Sequence, residues 1–503
     1  MMETPHIRLS HLYEDLTERL AELRRDPQTI QTSQAVVARA LQDGKAHYGI
    51  NTGFGALAQT RIGIDQVVKL QRNLLLSHAV GVGDLLPKDI CRLMLLLKLH
   101  ALGLGYSGIS LPTFDRLLAF AERNMIPAVP SKGSVGASGD LAPLAHLALP
   151  LLGYGFFWNQ QWDATIPASD LLQEQGMTPI ELQAKDGLAI INGTQLMSAC
   201  GAHVLEQSNR LLKITDILAA MSLEALQGSL TPFDERIHQL RPYTGQQEAA
   251  HNIRTLLACS EILESHRHCG KVQDPYSLRC VPQVHGAVRD SLRYAQAQVE
   301  TEINSVTDNP LVFEDGSIIS GGNFHGQPVA LALDCAAIAL SSLATISERR
   351  TFLLLGGHDG LPTLLMKDTG INSGFMIPQY TAAALVSENK GLSHPASVDS
   401  IPTSLGHEDH VSMGSISALK LLRVLDNVHH VLAIELLTAA QALDYRRPVR
   451  PGRGVEVAHE YFRSVIPHAE EDHYFKDELT RCVDLIRGKD LVDVVEQALG
   501  PLQ

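Results

Sequence analysis

The sequence predicts a mainly α protein: a long-helix bundle with a homo-oligomeric core, preceded by a small mixed N-terminal region. Three observations carry this. Between Val411 and Arg447, the residues Leu421, Leu425, Val428, Leu432, Leu436, Ala439 and Leu443 step by three or four, which places them on one face of a helix. Such a helix is on the order of 55 Å long at about 1.5 Å per residue. The run Cys335 to Ile346 is almost wholly apolar between Asp334 and Glu348-Arg349-Arg350, and reads as a helix buried on all sides. Alternating strand patterns are few. Helices this long and apolar need helical neighbours to cover them, and bundles of this kind complete their cores with other subunits.

The elements follow in order. The first stretch, to about residue 45, reads as a charged amphipathic helix pair. Glycine-rich loops come next, at Tyr48-Gly49-Ile50-Asn51-Thr52-Gly53-Phe54-Gly55 and from His78 to Gly83. Residues 86 to 124 return to a helical pattern around the apolar run Leu93 to Leu97. Small residues dominate Ser131 to Asp140, and Trp158-Asn159-Gln160-Gln161-Trp162 reads as a small hairpin or exposed turn. From Leu188 to about Leu230 the pattern is helical again. Pro448 ends the long helix, and the charged tail from about Arg450 to Gln503 reads as peripheral helices. The expected divisions are 1–190 for the loop-bearing N-terminal region, 191–450 for the bundle and 451–503 for the tail, or one continuous domain.

The bulk composition excludes several functions. Hydrophobic residues make up 45% and charged residues 19%, so the chain can build a large core. The net charge of −14 argues against nucleic acid and against an anionic membrane surface as partners, since both require a basic footprint. The seven cysteines are scattered, odd in number and without a Cys-x-x-Cys pair, which fits a reducing cytoplasm. Met1 to His6 lacks a basic region followed by an apolar stretch, so no signal peptide is expected. Cys335 to Ile346 falls short of the roughly 20 residues of a membrane span. The richest histidine clusters are His266-Arg267-His268-Cys269 and His407-Glu408-Asp409-His410. The second is His-Glu-x-His where a zinc helix needs His-Glu-x-x-His, so no metal is expected.

The segment Gly133-Ser134-Val135-Gly136-Ala137-Ser138-Gly139-Asp140-Leu141-Ala142-Pro143-Leu144 carries the most chemistry. One reading is a loop feeding a helix, with Ser138 or Asp140 as N-cap. The other is covalent. If the Gly139 nitrogen reaches the Ala137 carbonyl carbon, the triplet can close a five-membered ring. Loss of two waters, one from the Ser138 side chain, then leaves an exocyclic methylene. That attack needs a sharply bent backbone free of side chains, which glycine permits. The product is an electrophile that no ordinary side chain offers.

This segment resembles the signature of the histidine and aromatic amino-acid ammonia-lyases, which carry a self-made methylidene-imidazolone group. The resemblance extends through the Tyr48–Gly55 loop, Ile191-Asn192-Gly193-Thr194-Gln195, Gln273-Asp274-Pro275-Tyr276-Ser277-Leu278-Arg279-Cys280, Asp308-Asn309-Pro310, Gly322-Asn323-Phe324-His325 and Glu408-Asp409-His410-Val411-Ser412-Met413. It covers about residues 40 to 450. It implies an electrophile from Ala137, Ser138 and Gly139 with no external cofactor, and Tyr48 as the base for the β-proton. It places Tyr276 near the electrophile and Asn192 on the ring carbonyl, with Phe324 packing against it. Arg279 suits the substrate carboxylate, because guanidinium pairs with carboxylate through two parallel hydrogen bonds, and Gln273 assists in holding the substrate. The resemblance also implies a homotetramer with active sites shared between subunits.

The substrate is read from fewer residues. Ser77-His78 resembles the serine-histidine pair of the histidine enzymes, and Glu408 matches the glutamate those enzymes hold near the imidazole. An apolar ring would leave both unpaired in a closed pocket, which is costly. His285, His407 before Glu408, Gly326-Gln327 and Pro378-Gln379-Tyr380-Thr381 depart from that pattern. The expected reaction is therefore elimination of ammonia from L-histidine to urocanate. Tyrosine or phenylalanine is the alternative, and an aminomutase is a third reading.

Overall fold

The computed structural model describes residues 6–53, 55–57, 60–159, 161 and 164–503. Phe54 of the first glycine loop, Gln160 and Trp162 of the expected turn, and Met1–Pro5 lie outside them. The chain forms two compact units that alternate along the sequence. The first comprises Met1–Glu206, Ala295–Asp334 and Pro395–Leu419, and the second Gln207–Tyr294, Cys335–His394 and Lys420–Gln503. The fold is mainly α, as the sequence predicts.

In the first unit, the expected N-terminal pair is Leu12–Arg25 and Gln28–Gln42. Leu12, Leu16, Leu20 and Leu23 form one buried stripe at helical spacing. These helices pack on Lys88–Gly103 and Leu111–Glu122. The 86–124 pattern is thus two helices, interrupted where Gly105 and Gly108 adopt positive φ. Lys88–Gly103 is buried on every face from Leu93 onward, and this burial carries Lys98 and His100 into the core. A second cluster joins Val67–His78, Leu141–Ala148 and Asp186–Ile191. The mixed character comes from antiparallel strand pairs, Val82–Leu85 with Pro130–Lys132, Phe156–Trp158 with Thr165–Pro167, and Leu311–Val312 with Ile318–Ile319.

Four long helices contribute to both units: Gln195–Ala225, Val281–Ile303, Gln327–Leu354 and Gly414–Asp444. The last is the helix read from Val411 to Arg447, shortened at both ends. Its start is set by Met413 at φ +53° and by the Ser412 hydroxyl, which accepts from the Gly414 N–H at 3.2 Å. Its end is set by three successive turn hydrogen bonds at Tyr445–Arg447, ahead of Pro448. Gln327–Leu354 corrects the expectation of a helix buried on all sides. Leu331, Ile338 and Phe352 are exposed, and their spacing puts them on one face. By length and composition this 28-residue helix could cross a membrane, yet 67% of its most apolar stretch is buried within the protein. The tail forms the expected helices Arg453–Val465, Phe475–Arg487 and Asp490–Leu499.

The second unit is organised around buried charge. Arg350 places its Nε and Nη2 on the two carboxylate oxygens of Glu435, at 2.5 and 2.8 Å, and both side chains are fully buried. Ser222 donates to the same carboxylate at 2.7 Å. Arg350 Nη1 also lies 3.4 Å from His285 Nε2. Arginine only donates, so Nε2 accepts, and Nδ1–H donates to Asp216 at 2.7 Å. His285 is therefore a neutral imidazole, in keeping with the burial that lowers its pKa. Arg289 and Asn252 complete the shell around Asp216. His285 is fully buried in this network, where it serves packing and charge balance. Arg350→Ala leaves Glu435 buried without its partner and should cost about 3–5 kcal/mol, read as a large drop in the thermal midpoint.

Candidate active site

The Ala137–Gly139 triplet lies in the first unit on a turn with three positive φ values: Gly136 +84°, Ser138 +49° and Gly139 +81°. The Gly139 N–H turns back onto the Gly136 carbonyl at 3.3 Å. The turn is gripped by the Asn192–Gly193 segment, where the helical pattern from Leu188 breaks because Gly193 adopts φ +135°. Gly193 N–H donates to the Ser138 carbonyl at 3.2 Å, and Asp140 N–H donates to the Gly193 carbonyl at 2.7 Å. A Cβ on Gly139 would fall deep inside van der Waals contact with that same carbonyl oxygen. A Cβ on Gly136 would collide with the Ser412 hydroxyl. The other side of the turn is held by Ser134, whose hydroxyl donates to the Gly139 carbonyl at 3.2 Å, and by Met413 N–H on the Val135 carbonyl at 3.0 Å.

Asp140 stands at the N-cap position of Leu141–Ala148 but makes no side-chain cap there. Its carboxylate instead accepts from Leu196 and Met197 N–H at 2.9 and 3.1 Å, capping Gln195–Ala225. Burial raises its pKa to about 7, against those two N–H groups. The Asp140 Oδ1 and the Asn192 Oδ1 are buried acceptors with no partner among the described residues. A turn bent through positive φ, with no room for a Cβ at Gly136 or Gly139, fits a methylidene-imidazolone built from this triplet.

Asn192 is held through its side-chain nitrogen and its backbone carbonyl. Its side-chain amide donates to Asp308 at 3.1 Å and to the Asn309 carbonyl at 2.9 Å. Lys185 pairs with Asp308 at 2.8 Å, both fully or nearly fully buried. Lys98 Nζ donates to the Asn192 carbonyl at 2.6 Å and to Gln195 Oε1 at 3.4 Å. The hydroxyl of Thr194 donates to Glu302 at 2.6 Å.

Tyr48 opens a turn that continues through Gly49, whose Cβ would strike Leu188. Its hydroxyl oxygen accepts from Gly55 N–H at 3.3 Å. Burial raises the phenol pKa, the Glu408 charge adds to the rise, and the Gly55 N–H opposes it. His78 ends the helix Val67–His78, with Nδ1 3.0 Å from the Ser77 hydroxyl. That hydroxyl donates to the Leu74 carbonyl at 3.2 Å, so His78 Nδ1 is the donor and Nε2 is left as an acceptor. Burial lowers the His78 pKa, and Glu408 partly offsets this. Glu408 is oriented by the Thr403 hydroxyl at 2.8 Å. Phe324 is half-buried in a loop tied down by His325, whose Nε2 meets the His410 carbonyl at 3.1 Å and whose ring stacks on that of His410.

The family model for aromatic amino acid lyases matches residues 14–464. The chain belongs to the aromatic amino acid lyase family. It is 52% identical to the histidine ammonia-lyase of Sorangium cellulosum (strain So ce56) over 93% of its own length and 92% of that protein's. The crystal structure of histidine ammonia-lyase from Trypanosoma cruzi superposes with a TM-score of 0.86 at 42% identity, covering 94% of this chain and 89% of that one. Tyrosine aminomutase from Streptomyces globisporus reaches a TM-score of 0.90 at 34% identity, covering 100% and 99%. This member of the family is a carbon–nitrogen lyase.

Of the residues the resemblance implies, Tyr48, His78, Ala137, Ser138, Gly139, Asn192, Phe324 and Glu408 fall in the first unit, and Gln273, Tyr276 and Arg279 in the second. Tyr276–Arg279 is one short helical turn, so the Arg279 guanidinium stacks over the Tyr276 ring at 4.5 Å, while its Nε donates to the Asp274 carbonyl at 2.9 Å. Gln273 is exposed and Tyr276 is 71% exposed. Within the second unit, Gln273 and Arg279 line a cavity of about 950 Å³. No group of three or more His, Cys, Asp or Glu among the described residues is placed to hold a metal ion. The motifs gave no warning of Lys98, although a lysine set among Leu95, Leu96, Leu97 and Leu99 is itself a signal. Gly139→Ala should displace the turn from Gly193 and lower stability by roughly 1–3 kcal/mol, read as a lower thermal midpoint.

Proposed function

We propose that this chain eliminates ammonia from L-histidine to give urocanate, using a methylidene-imidazolone formed from Ala137, Ser138 and Gly139. The observation that carries the reading is the Gly136–Gly139 turn, bent through positive φ and pressed so tightly on Gly193 that only glycine fits. In ring formation the Gly139 nitrogen bonds the Ala137 carbonyl carbon, whose oxygen leaves as water. The second water takes the Ser138 Oγ together with the Ser138 Cα hydrogen. The finished group supplies the electron sink for departure of the amino group.

The remaining roles fall to ordinary side chains. Tyr48 takes the β-proton. The family resemblance gives Arg279 and Gln273 the substrate carboxylate, Tyr276 a place near the electrophile and Phe324 the packing against it. The Asn192 side chain, whose amide donates to Asp308 and Asn309, braces the peptide whose Gly193 N–H reaches the Ser138 carbonyl, the future ring carbonyl. His78 and Glu408 both present acceptors, one of which takes the single N–H of a neutral imidazole, and this supports histidine over an apolar ring. The name shared by relatives at about half identity points the same way. Tyrosine stays the second reading because the S. globisporus aminomutase superposes so closely. A homotetramer with shared active sites, in the cytoplasm, is the expected assembly. The exposed apolar stripe at Leu331, Ile338 and Phe352 supports burial against another copy.

Intact mass and a substrate panel test this together. The purified protein should be two waters lighter than its encoded mass, and Ser138→Ala should keep full mass and lose turnover. With L-histidine, L-tyrosine and L-phenylalanine side by side, ultraviolet absorbance should report urocanate alone. Coumarate from tyrosine would overturn the substrate, and full mass in an active wild type would overturn the electrophile.

The pH dependence has a defined sign. Only the phenolate of Tyr48 accepts a proton, and its pKa lies above the ordinary 10. The reactive fraction therefore grows with pH up to that value, and kcat/KM should climb from about pH 7 to about pH 9. His78 is already neutral there, because its pKa is lowered, and introduces no break. A Tyr48→Phe variant should lose both the activity and the slope.

A further inference from the structure

We propose that Lys98 is a positioning residue for the electrophile loop, acting through the Asn192–Gly193 peptide on the Ser138 carbonyl oxygen. The inference rests on the reading of Ala137–Gly139 as the source of the electrophile.

The geometry is a short relay. The Lys98 ammonium donates to the Asn192 carbonyl at 2.6 Å. The N–H of that same peptide unit belongs to Gly193, and it donates to the Ser138 carbonyl at 3.2 Å. A cation on the oxygen of an amide draws density through it and makes its N–H a stronger donor. The polarisation reaches the carbonyl α to the Ser138 Cα–H, the bond that must break when Ser138 loses water. The same oxygen gains negative charge whenever the conjugated group accepts electrons. Lys98 thus supports a one-donor oxyanion site from behind.

A purely structural role explains this lysine poorly. Lys98 is 2% exposed, and its hydrogen-bond partners are two neutral oxygens, of Asn192 and Gln195. Neither nearby carboxylate is a hydrogen-bond partner of Lys98: Asp308 is engaged by Lys185, Asn192 and Asn309, and Asp140 gives its Oδ2 to Leu196 and Met197. Burial pulls the Lys98 pKa down to about 7, with Asp308 and Asp140 opposing and Lys185 adding to the fall. Methionine would fill the same volume without desolvating an ammonium, which offsets the loss of a donor to the Asn192 carbonyl and Gln195 Oε1.

The test follows two-water loss by intact mass after a pulse of synthesis, for the full chain as wild type, Lys98→Met and Lys98→Arg. Thermal midpoints are measured in parallel. The expected result is that Lys98→Met folds, with its midpoint shifted only modestly, but loses water more slowly by on the order of 10-fold. That is less than the roughly 100-fold or greater cost of removing a direct oxyanion donor. Lys98→Arg, which keeps the charge, restores water loss to within about threefold of wild type. A folded Lys98→Met that matures at the wild-type rate overturns the proposal. If Lys98→Met does not fold, Lys98→Arg decides: maturation supports the proposal, and a folded arginine variant stuck at full mass overturns it. A wild type that never loses the two waters fails the electrophile reading itself, an outcome distinct from both.

Discussion

The contact between Gly139 and the Gly193 carbonyl is the constraint from which the rest of the first unit follows. No side chain fits between them, so two segments far apart in sequence meet backbone to backbone. That approach exhausts the local donors and acceptors in a definite way. Gly193 takes one hydrogen bond from Asp140 and gives one to Ser138. With its own N–H committed there, Asp140 turns its carboxylate away from its own helix, to the start of Gln195–Ala225. One aspartate thereby couples the turn to the N-terminus of a 31-residue helix. The N-terminal dipole of that helix favours the charged carboxylate, and full burial opposes it.

Buried charge is handled differently in the two units. Around Arg350 and Asp216 in the second unit, each carboxylate faces at least one guanidinium, and the neutral His285 bridges them as acceptor and donor. Such a network balances itself, and its worth lies in fixing how the long helices register. Around Asn192 in the first unit the balance is incomplete. Lys185 and Asp308 pair, but Lys98 has carbonyl partners and Asn192 Oδ1 has none among the described residues. Unspent polarity in a core is expensive, and here it converges on one peptide group beside Ser138.

Much of this is legible in the sequence, and the exceptions have physical causes. Helix positions follow from apolar spacing, as at Leu12, Leu16, Leu20 and Leu23, because a helix face is a local property. Helix breaks at Gly105 and Gly193 need φ values that composition alone does not fix. The Cys335–Ile346 run reads as buried on all sides because leucine and isoleucine do not announce which face lacks a neighbour. The reactive turn is legible because three glycines within seven residues mark a backbone that must bend and lie close to another. Asp140 is ambiguous, since a cap on its own helix and a cap on a distant one look identical in a string of letters. His285 reads in the sequence as a hint about the substrate, and only its partners Asp216 and Arg350 reveal a core residue. Lys98 stands out among leucines, but what it holds is decided by a partner 94 positions away.

Selectivity must rest on a few side chains, because the fold does not vary enough to provide it. An aminomutase at 34% identity superposes at least as well as a lyase at 42%. What distinguishes such proteins is therefore the hydrogen-bonding inventory at the far end of the substrate. On the reading proposed above, that inventory is two acceptors, His78 and Glu408. His78 is locked with Nδ1 toward Ser77, and Glu408 is held by Thr403 through one of its two oxygens. Both tautomer and rotamer are fixed by neighbours one to five residues away, so the preference is built before any substrate arrives. An imidazole brings an N–H that one of these acceptors can take, and a hydrocarbon ring desolvates both without compensation. That penalty, more than any attraction, is what sorts one amino acid from another at this site.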